Sequence, residues 1–230
     1  MNRHIFFDLD NTLWDHRKNA FLTIKDLCET HEILNKYSIS TSDFHDVYYD
    51  INEKLWEDLR DNKIDKTYLR EHRFYDTFLH FGVDNFELSQ TFEAHFLDNI
   101  LQYNELVDGA LEILEYLKSK GYHLHIISNG FHEVTERKCV LSDISPYFES
   151  ITSADSVGLR KPHKEIFDFA LNRVKASKKE SVMIGDDWIA DVVGARNYGM
   201  DVIFFNALQE KVEKTDLKVV NHLLEIKNYL

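Results

Sequence analysis

The sequence is short of cysteine, of positive charge and of long apolar runs, and each shortage closes off a class of protein. Cys28 and Cys139 are the two cysteines in 230 residues and stand far apart. They make neither a disulfide framework nor the paired spacing of a zinc site, so a reducing, cytoplasmic setting is expected. Lysine and arginine number 27 against 40 acidic residues, for a net charge of −13. That leaves no basic stripe for the backbone of a nucleic acid polymer. It leaves open a small anionic substrate, because one lysine and a divalent cation can reverse the local field. No apolar run approaches bilayer-spanning length, and Asp8 interrupts the amino terminus before a signal-peptide core could form. Neither a membrane nor polymeric nucleic acid is therefore an expected partner. Internal repeats, low-complexity stretches and long linkers are absent too, and the twelve histidines form no H-E-x-x-H or comparable metal spacing.

What remains is a chain with 43% hydrophobic and 13% aromatic residues, enough to bury a core in one large domain or two moderate ones. Short β-rich runs recur at Ile5–Phe7, Leu124–Ile127, Ile151–Ser153, Val182–Ile184 and Val202–Phe205, each stopping at polar residues. Helical patterns separate most of them. One is the stripe Ala110, Leu111, Leu114 and Leu117, closed by Gly121 as a C-terminal cap. This alternation predicts an α/β fold with a doubly wound, mainly parallel sheet. Ligands of such sheets sit beyond the carboxyl ends of the strands.

Residues 15–104 have no strand signature. Stripes of Ala20, Phe21, Ile24, Leu27 and Cys28, then of Phe44, Val47, Tyr48, Ile51 and Leu55, predict two helices. Thr41, Ser42 and Asp43 are cap candidates for the second. Tyr68, Tyr75, Phe78 and Leu79 predict a third helix. Phe92, Phe96 and Ile100 predict a fourth, with Asp84 and Glu87 at capping-box spacing. The expected organisation is an α/β core from residues 1–14 and 105–230, with a cap of about four helices inserted over the site.

Asp8 and Asp10 are the most informative residues. The first apolar run ends in two carboxylates one residue apart, followed by Thr12. Residues i and i+2 of a strand face the same side. A turn at Asp10 would let one carboxylate serve as nucleophile or metal ligand and the other handle protons. An ordinary strand-to-loop exit, where Asp and Asn start turns, accounts for the same residues taken alone. Three later clusters stand at further strand ends. Ser128-Asn129-Gly130 offers a hydroxyl and backbone N–H groups to an anion, though a plain Asn-Gly turn explains it as well. Gly158-Leu159-Arg160-Lys161-Pro162 sets an ammonium before a helix, with proline suited to the first turn. Gly185-Asp186-Asp187-Trp188-Ile189-Ala190-Asp191 ends a buried strand in acids, the oxygen ligands that Mg2+ favours. Acids at a helix start also complement its dipole, which accounts for one carboxylate but poorly for the run. An acid pair, a hydroxyl donor, a cation and an acidic cluster are together the parts of phosphoryl transfer.

In this order, Asp8-Leu9-Asp10-Asn11-Thr12, Ser128, Lys161 and Gly185-Asp186 through Asp191 resemble the four motifs of the haloacid dehalogenase-like superfamily. The likeness spans the whole chain and points to the phosphohydrolase branch with an inserted helical cap of the C1 type. The stretches Gly158–Leu171 and Gly194–Met200 are similar to the noncanonical pyrimidine nucleotidase subgroup. The resemblance implies a Rossmann-like core and a Mg2+-dependent phosphatase acting through an aspartyl-phosphate. It assigns Asp8 as nucleophile and Asp10 as acid and base. Thr12, Ser128, Asn129 and Lys161 would hold phosphate. Asp8, Asp186 and the Asp10 carbonyl would face the metal, with Asp187 or Asp191 in support. The substrate implied is a small phosphate monoester, a pyrimidine nucleoside 5′-monophosphate by the narrower likeness, and the assembly a monomer or a homodimer. A sugar-phosphate mutase or sugar-phosphate phosphatase shares the same motifs. Dehalogenation fits less well, because a dehalogenase has no leaving oxygen for Asp10 to protonate. A non-catalytic phosphate-binding module would be expected to lose Asp8, Asp10 or Asp186. Trp14 is expected either to pack the core against the cap or to stack on a base.

Overall fold

Each apolar run noted above becomes a strand, because residues buried on both faces of a parallel sheet read as continuous rather than alternating hydrophobics. The computed structural model describes residues 3–209, 211–212 and 216–230. Its strands are β1 (His4–Phe7), β2 (His123–Ser128), β3 (Phe148–Ser153), β4 (Ser181–Gly185), β5 (Asp201–Phe205) and β6 (Lys218–Val220). They form one sheet in the order β3-β2-β1-β4-β5-β6, every pair parallel. The order reverses between β1 and β4, so the carboxyl ends of those two strands flank the crevice where doubly wound sheets bind ligands. The three-residue edge strand β6 carries too little apolar sequence to be read in advance.

The chain divides into two compact units, one of Met1–Asp15 with Asn104–Leu230 and the other of His16–Tyr103. The first unit holds the sheet and the helices α6 (Ala110–Ser119), α7 (His132–Leu141), α8 (Ala154–Val157), α9 (Lys164–Arg173) and α10 (Gly194–Tyr198), with a π-helical turn over Trp188–Val193. Phe6, Ile127, Ile166, Phe167, Met183 and Phe204 are among the buried residues of its core. In α6 the inward residues are Ala110, Ile113, Leu114 and Leu117, while Leu111 is exposed. Gly121 adopts the expected left-handed conformation beyond the helix end, at φ +83°.

The second unit is helical: α1 (His16–Thr30), the short α2 (Ile33–Tyr37), α3 (Thr41–Arg60), α4 (Lys66–His80) and α5 (Phe86–Asn99). Two caps fall one residue from their predicted places. Ser40, extended at ψ 150°, accepts from Asp43 N at 3.1 Å to start α3. Asn85 accepts from Leu88 N at 3.0 Å to start α5, and Asp84 instead accepts the Tyr75 hydroxyl at 2.9 Å. The buried face of α4 is Leu69, Phe74, Thr77 and Phe78, whereas Tyr68 and Leu79 are exposed. Aromatic rings fill this core, with Tyr48 stacked on Phe74 at 4.8 Å and Phe78 edge-on to Phe92 at 5.2 Å, geometries that add to area burial. A buried bidentate pair, Arg73 Nε and Nη2 to Glu93 at 2.6 and 2.7 Å, crosses from α4 to α5. Its two parallel bonds offset the desolvation that either charge alone would suffer.

The strand histidines share a face but differ in burial. His123 is exposed and meets Glu149 at 2.7 Å, while His125 is fully buried between Ser150 Oγ and His4, both at 3.0 Å. Burial pushes the His125 imidazole down to about 4, so it is a neutral core residue at ordinary pH.

Candidate active site

Asp8 follows the last residue of β1 and continues its ladder, donating its N–H to Ile184 O at 2.8 Å. The chain then turns, and Asn11 takes the left-handed conformation, φ +60°, that its short amide tolerates better than most side chains. Hydrogen bonds from Trp14 N to Leu9 O and from Asn11 N to Trp14 O, at 2.9 and 2.8 Å, close this loop on itself. Asp8 and Thr12 are therefore buried and turned to the carboxyl edge of the sheet, while Asp10 stays partly open.

Lys161 is the centre of the arrangement. It is 1% exposed, and its Nζ donates to Asp8 Oδ1 and Asp191 Oδ1, each at 2.6 Å. The Asn129 side chain holds the Lys161 backbone from both sides, accepting from its N–H at 2.7 Å and donating to its carbonyl at 3.0 Å. The residue predicted to sit near phosphate thus spends its amide on placing the lysine. Helix α9 begins at Lys164, two residues beyond Pro162, so the proline lies ahead of the first turn rather than in it.

Of the acids after β4, Asp191 is fully buried, and its second oxygen accepts from Asp187 N at 3.1 Å. Asp187 caps the π-helical turn, accepting from Ile189 N and Ala190 N, both at 2.8 Å. Asp186 accepts the Thr12 hydroxyl at 2.9 Å. In this structure the Thr12 proton is therefore directed to a carboxylate. Ser128 Oγ accepts from Gly130 N at 3.0 Å, which leaves its own O–H for a further acceptor.

Carboxylate oxygens of Asp8, Asp186 and Asp191 lie within 4.8 Å of one another. Three acids face one lysine there, and the excess of negative charge is visible in their proton affinities. Burial pushes the Asp8 carboxyl up, with Lys161 opposing. Burial and the charges of Asp8 and Asp191 hold Asp186 well above the usual range. Burial raises Asp191 to about 7 despite Lys161. Burial works against the Lys161 ammonium, but Asp191 and Asp8 outweigh it and raise its pKa. Hard oxygen donors with surplus negative charge fit a divalent cation such as Mg2+.

One residue of the site was not legible beforehand. Lys138, on α7, is 6% exposed, ion-paired with Asp10, and set with Nζ 4.1 Å from the Trp14 ring centroid. Trp14 is itself fully buried, so it offers no open face for stacking on a base.

Residues 3–199 match the family described as haloacid dehalogenase-like hydrolase. The chain belongs to that family. Among relatives of this hydrolase, pyrimidine 5′-nucleotidase PynA of Streptococcus pneumoniae is 28% identical over 207 residues, covering 89% of this chain and 84% of its own. A glyceraldehyde 3-phosphate phosphatase of Pyrococcus abyssi is also 28% identical over 208 residues, with 89% and 82% covered. A crystal structure of the Bacillus subtilis HAD-hydrolase YfnB, bound to magnesium, has the same fold at TM-score 0.87 and 24% identity, covering 99% and 98% of the two chains.

Proposed function

We propose that this hydrolase is a Mg2+-dependent phosphatase of small phosphate monoesters, with pyrimidine nucleoside 5′-monophosphates as the substrate class. The observation that carries the reading is Lys161 bridging Asp8 and Asp191 beside Asp186. Fixed positive charge next to a nucleophilic carboxylate is what transfer of a dianionic phosphoryl group requires. PynA supports the nucleotide, and the Pyrococcus phosphatase keeps sugar phosphates as the rival class. Buried, unpaired Cys28 and Cys139 support a reducing, cytoplasmic location.

In the proposed reaction the Asp8 carboxylate attacks phosphorus, forming an aspartyl-phosphate as the ester P–O bond breaks. Asp10 gives its proton to the leaving oxygen and then takes one from the water that hydrolyses the aspartyl-phosphate. The Ser128 hydroxyl and the backbone N–H groups of Leu9, Asp10 and Asn129 receive phosphoryl oxygens, and Lys161 neutralises charge shared with Asp8. Asp8, Asp186 and the Asp10 backbone carbonyl would hold Mg2+, which when bound supplies positive charge to the phosphoryl oxygens. Asp191 orients Lys161, and Thr12 orients Asp186.

The test is a phosphate-release screen, with and without Mg2+, across nucleoside monophosphates and sugar phosphates. Selective Mg2+-supported release from dUMP, dTMP or UMP is expected. Preference for a sugar phosphate would remove the nucleotide assignment, and isomerised sugar phosphate without free phosphate would replace hydrolase with mutase.

Gly185 provides a check on the role of Asp191. A Cβ added there would overlap the Asp191 carboxylate and lie 2.8 Å from its Cβ, so only glycine leaves room for that acid. Gly185→Ala is expected to lower kcat for p-nitrophenyl phosphate by roughly 10²-fold, the scale of a displacement of about 1 Å at a reacting centre. Wild-type kcat in the alanine variant would mean that the placement of Asp191 is immaterial.

A further inference from the structure

Lysine on a ten-residue surface helix is ordinarily solvated. Lys138 is not. On α7 it belongs to the inward face with Thr135 and Cys139. Its side chain is 7% exposed, against 31% for the Asp10 side chain it meets. Burying an ammonium is costly unless it is paired, and an apolar residue of equal volume would fasten the helix as well. Here the ammonium has two distinct supports, Asp10 Oδ1 and the indole face of Trp14. The ring is fully buried, and the backbone that carries it is held by the hydrogen bonds of Trp14 N and O within the 9–14 loop.

Lys138 meets one oxygen of Asp10, and the direction of the other follows from that contact. A Cβ placed on Gly130 would lie 3.7 Å from Asp10 Oδ2 and 3.1 Å from Ser128 Oγ, so Oδ2 faces the Ser128–Gly130 turn. Occupation of Oδ1 by Lys138 fixes the carboxyl rotamer that turns Oδ2 in that direction. We infer that Lys138 is a positioning residue for the proton transfers of Asp10, acting through that side chain and touching no reacting atom. The inference rests on the phosphatase reading above. In the step concerned, the Asp10 O–H proton moves to the ester oxygen as its bond to phosphorus breaks. The electron pair of that bond stays with the oxygen, and the Asp8 carboxylate forms the new bond to phosphorus.

Leaving-group dependence isolates this role. p-Nitrophenolate departs without protonation, whereas the alkoxide of benzyl alcohol needs a proton, and the two phosphate esters are similar in shape. kcat/KM reports the steps through leaving-group release and omits hydrolysis of the aspartyl-phosphate. The readout is kcat/KM for p-nitrophenyl phosphate divided by kcat/KM for benzyl phosphate. Lys138→Met is expected to raise this ratio by about tenfold or more, a part of the roughly 10²–10⁴ that a positioned acid contributes. Lys138→Arg, which restores a cation, is expected to return it to within about threefold of wild type. If Lys138→Met does not fold, Lys138→Gln gives the same ratio. A ratio unmoved in an active, folded variant, with both esters slowed equally or not at all, would make Lys138 a purely structural fastener. Wild-type protein inert toward both esters would remove the phosphatase reading itself, a separate outcome.

Discussion

Asp8→Asn is expected to reduce phosphate release by at least about 10⁴-fold, the scale for loss of a covalent nucleophile, without weakening the fold. The amide keeps an oxygen for Lys161 Nζ, so the 2.6 Å contact has a substitute acceptor, but a neutral amide cannot form the acyl phosphate. The stability side follows from linkage. Asp8, Asp186 and Asp191 all have carboxyl groups raised by burial and by one another. An acid with a raised folded pKa binds more protons folded than unfolded. Its contribution to stability is present below the unfolded value and is lost as pH rises through the folded one. For Asp191 that window runs from its ordinary 3.8 to about 7. Without metal the three buried carboxyls oppose one another's ionisation, so removing one of them is expected to leave the melting temperature unchanged or higher. Phosphate-release kinetics and a thermal melt in metal-free buffer measure the two halves. Near-normal turnover in Asp8→Asn would end the nucleophile assignment.

Lys161→Met is expected to fail on both counts. Removing the single cation among three acids should cost about 10²–10³ in kcat, as for loss of a charge-stabilising donor. Deleting one partner of a buried pair also strands its counter-charges, at a cost of about 3–5 kcal/mol. Lys161 meets two carboxylates whose side chains are 11% and 0% exposed, so water cannot take over from the ammonium. The contrast is diagnostic: Asp8→Asn should be inactive and stable, Lys161→Met slow and unstable. Steady-state kinetics with urea unfolding of both variants decides it. A Lys161→Met variant as stable as wild type would show that the bridge contributes no net stability.

By itself the sequence determined the α/β character of the core, the lack of a strand signature over residues 15–104 and the positions where polar chemistry interrupts apolar strands. Strands buried on both faces must be continuous hydrophobic runs, so β1, β2, β4 and β5 were visible in composition alone. Ile5, Phe6, Phe7, Leu124, Ile126, Val182 and Ile184 are fully buried, as such runs require. The acids were visible because they stop those runs, and Lys161 because it stands with Pro162 just ahead of an apolar helix. Tertiary structure decided which polar atom meets which. Asn129 was legible as a turn residue, but its hold on the Lys161 backbone joins positions 32 apart. Thr12 could as well have faced phosphate, and the approach of β1 and β4 gives its proton to Asp186, 174 residues away. Lys138 left no trace in any local pattern, since nothing around it distinguishes a buried lysine from a solvated one. Its pairing with Asp10 exists because β2 lies beside β1 and α7 leads away from the end of β2. Local spacing reports which face of an element a side chain occupies, and only packing of the elements reports what waits on the other side.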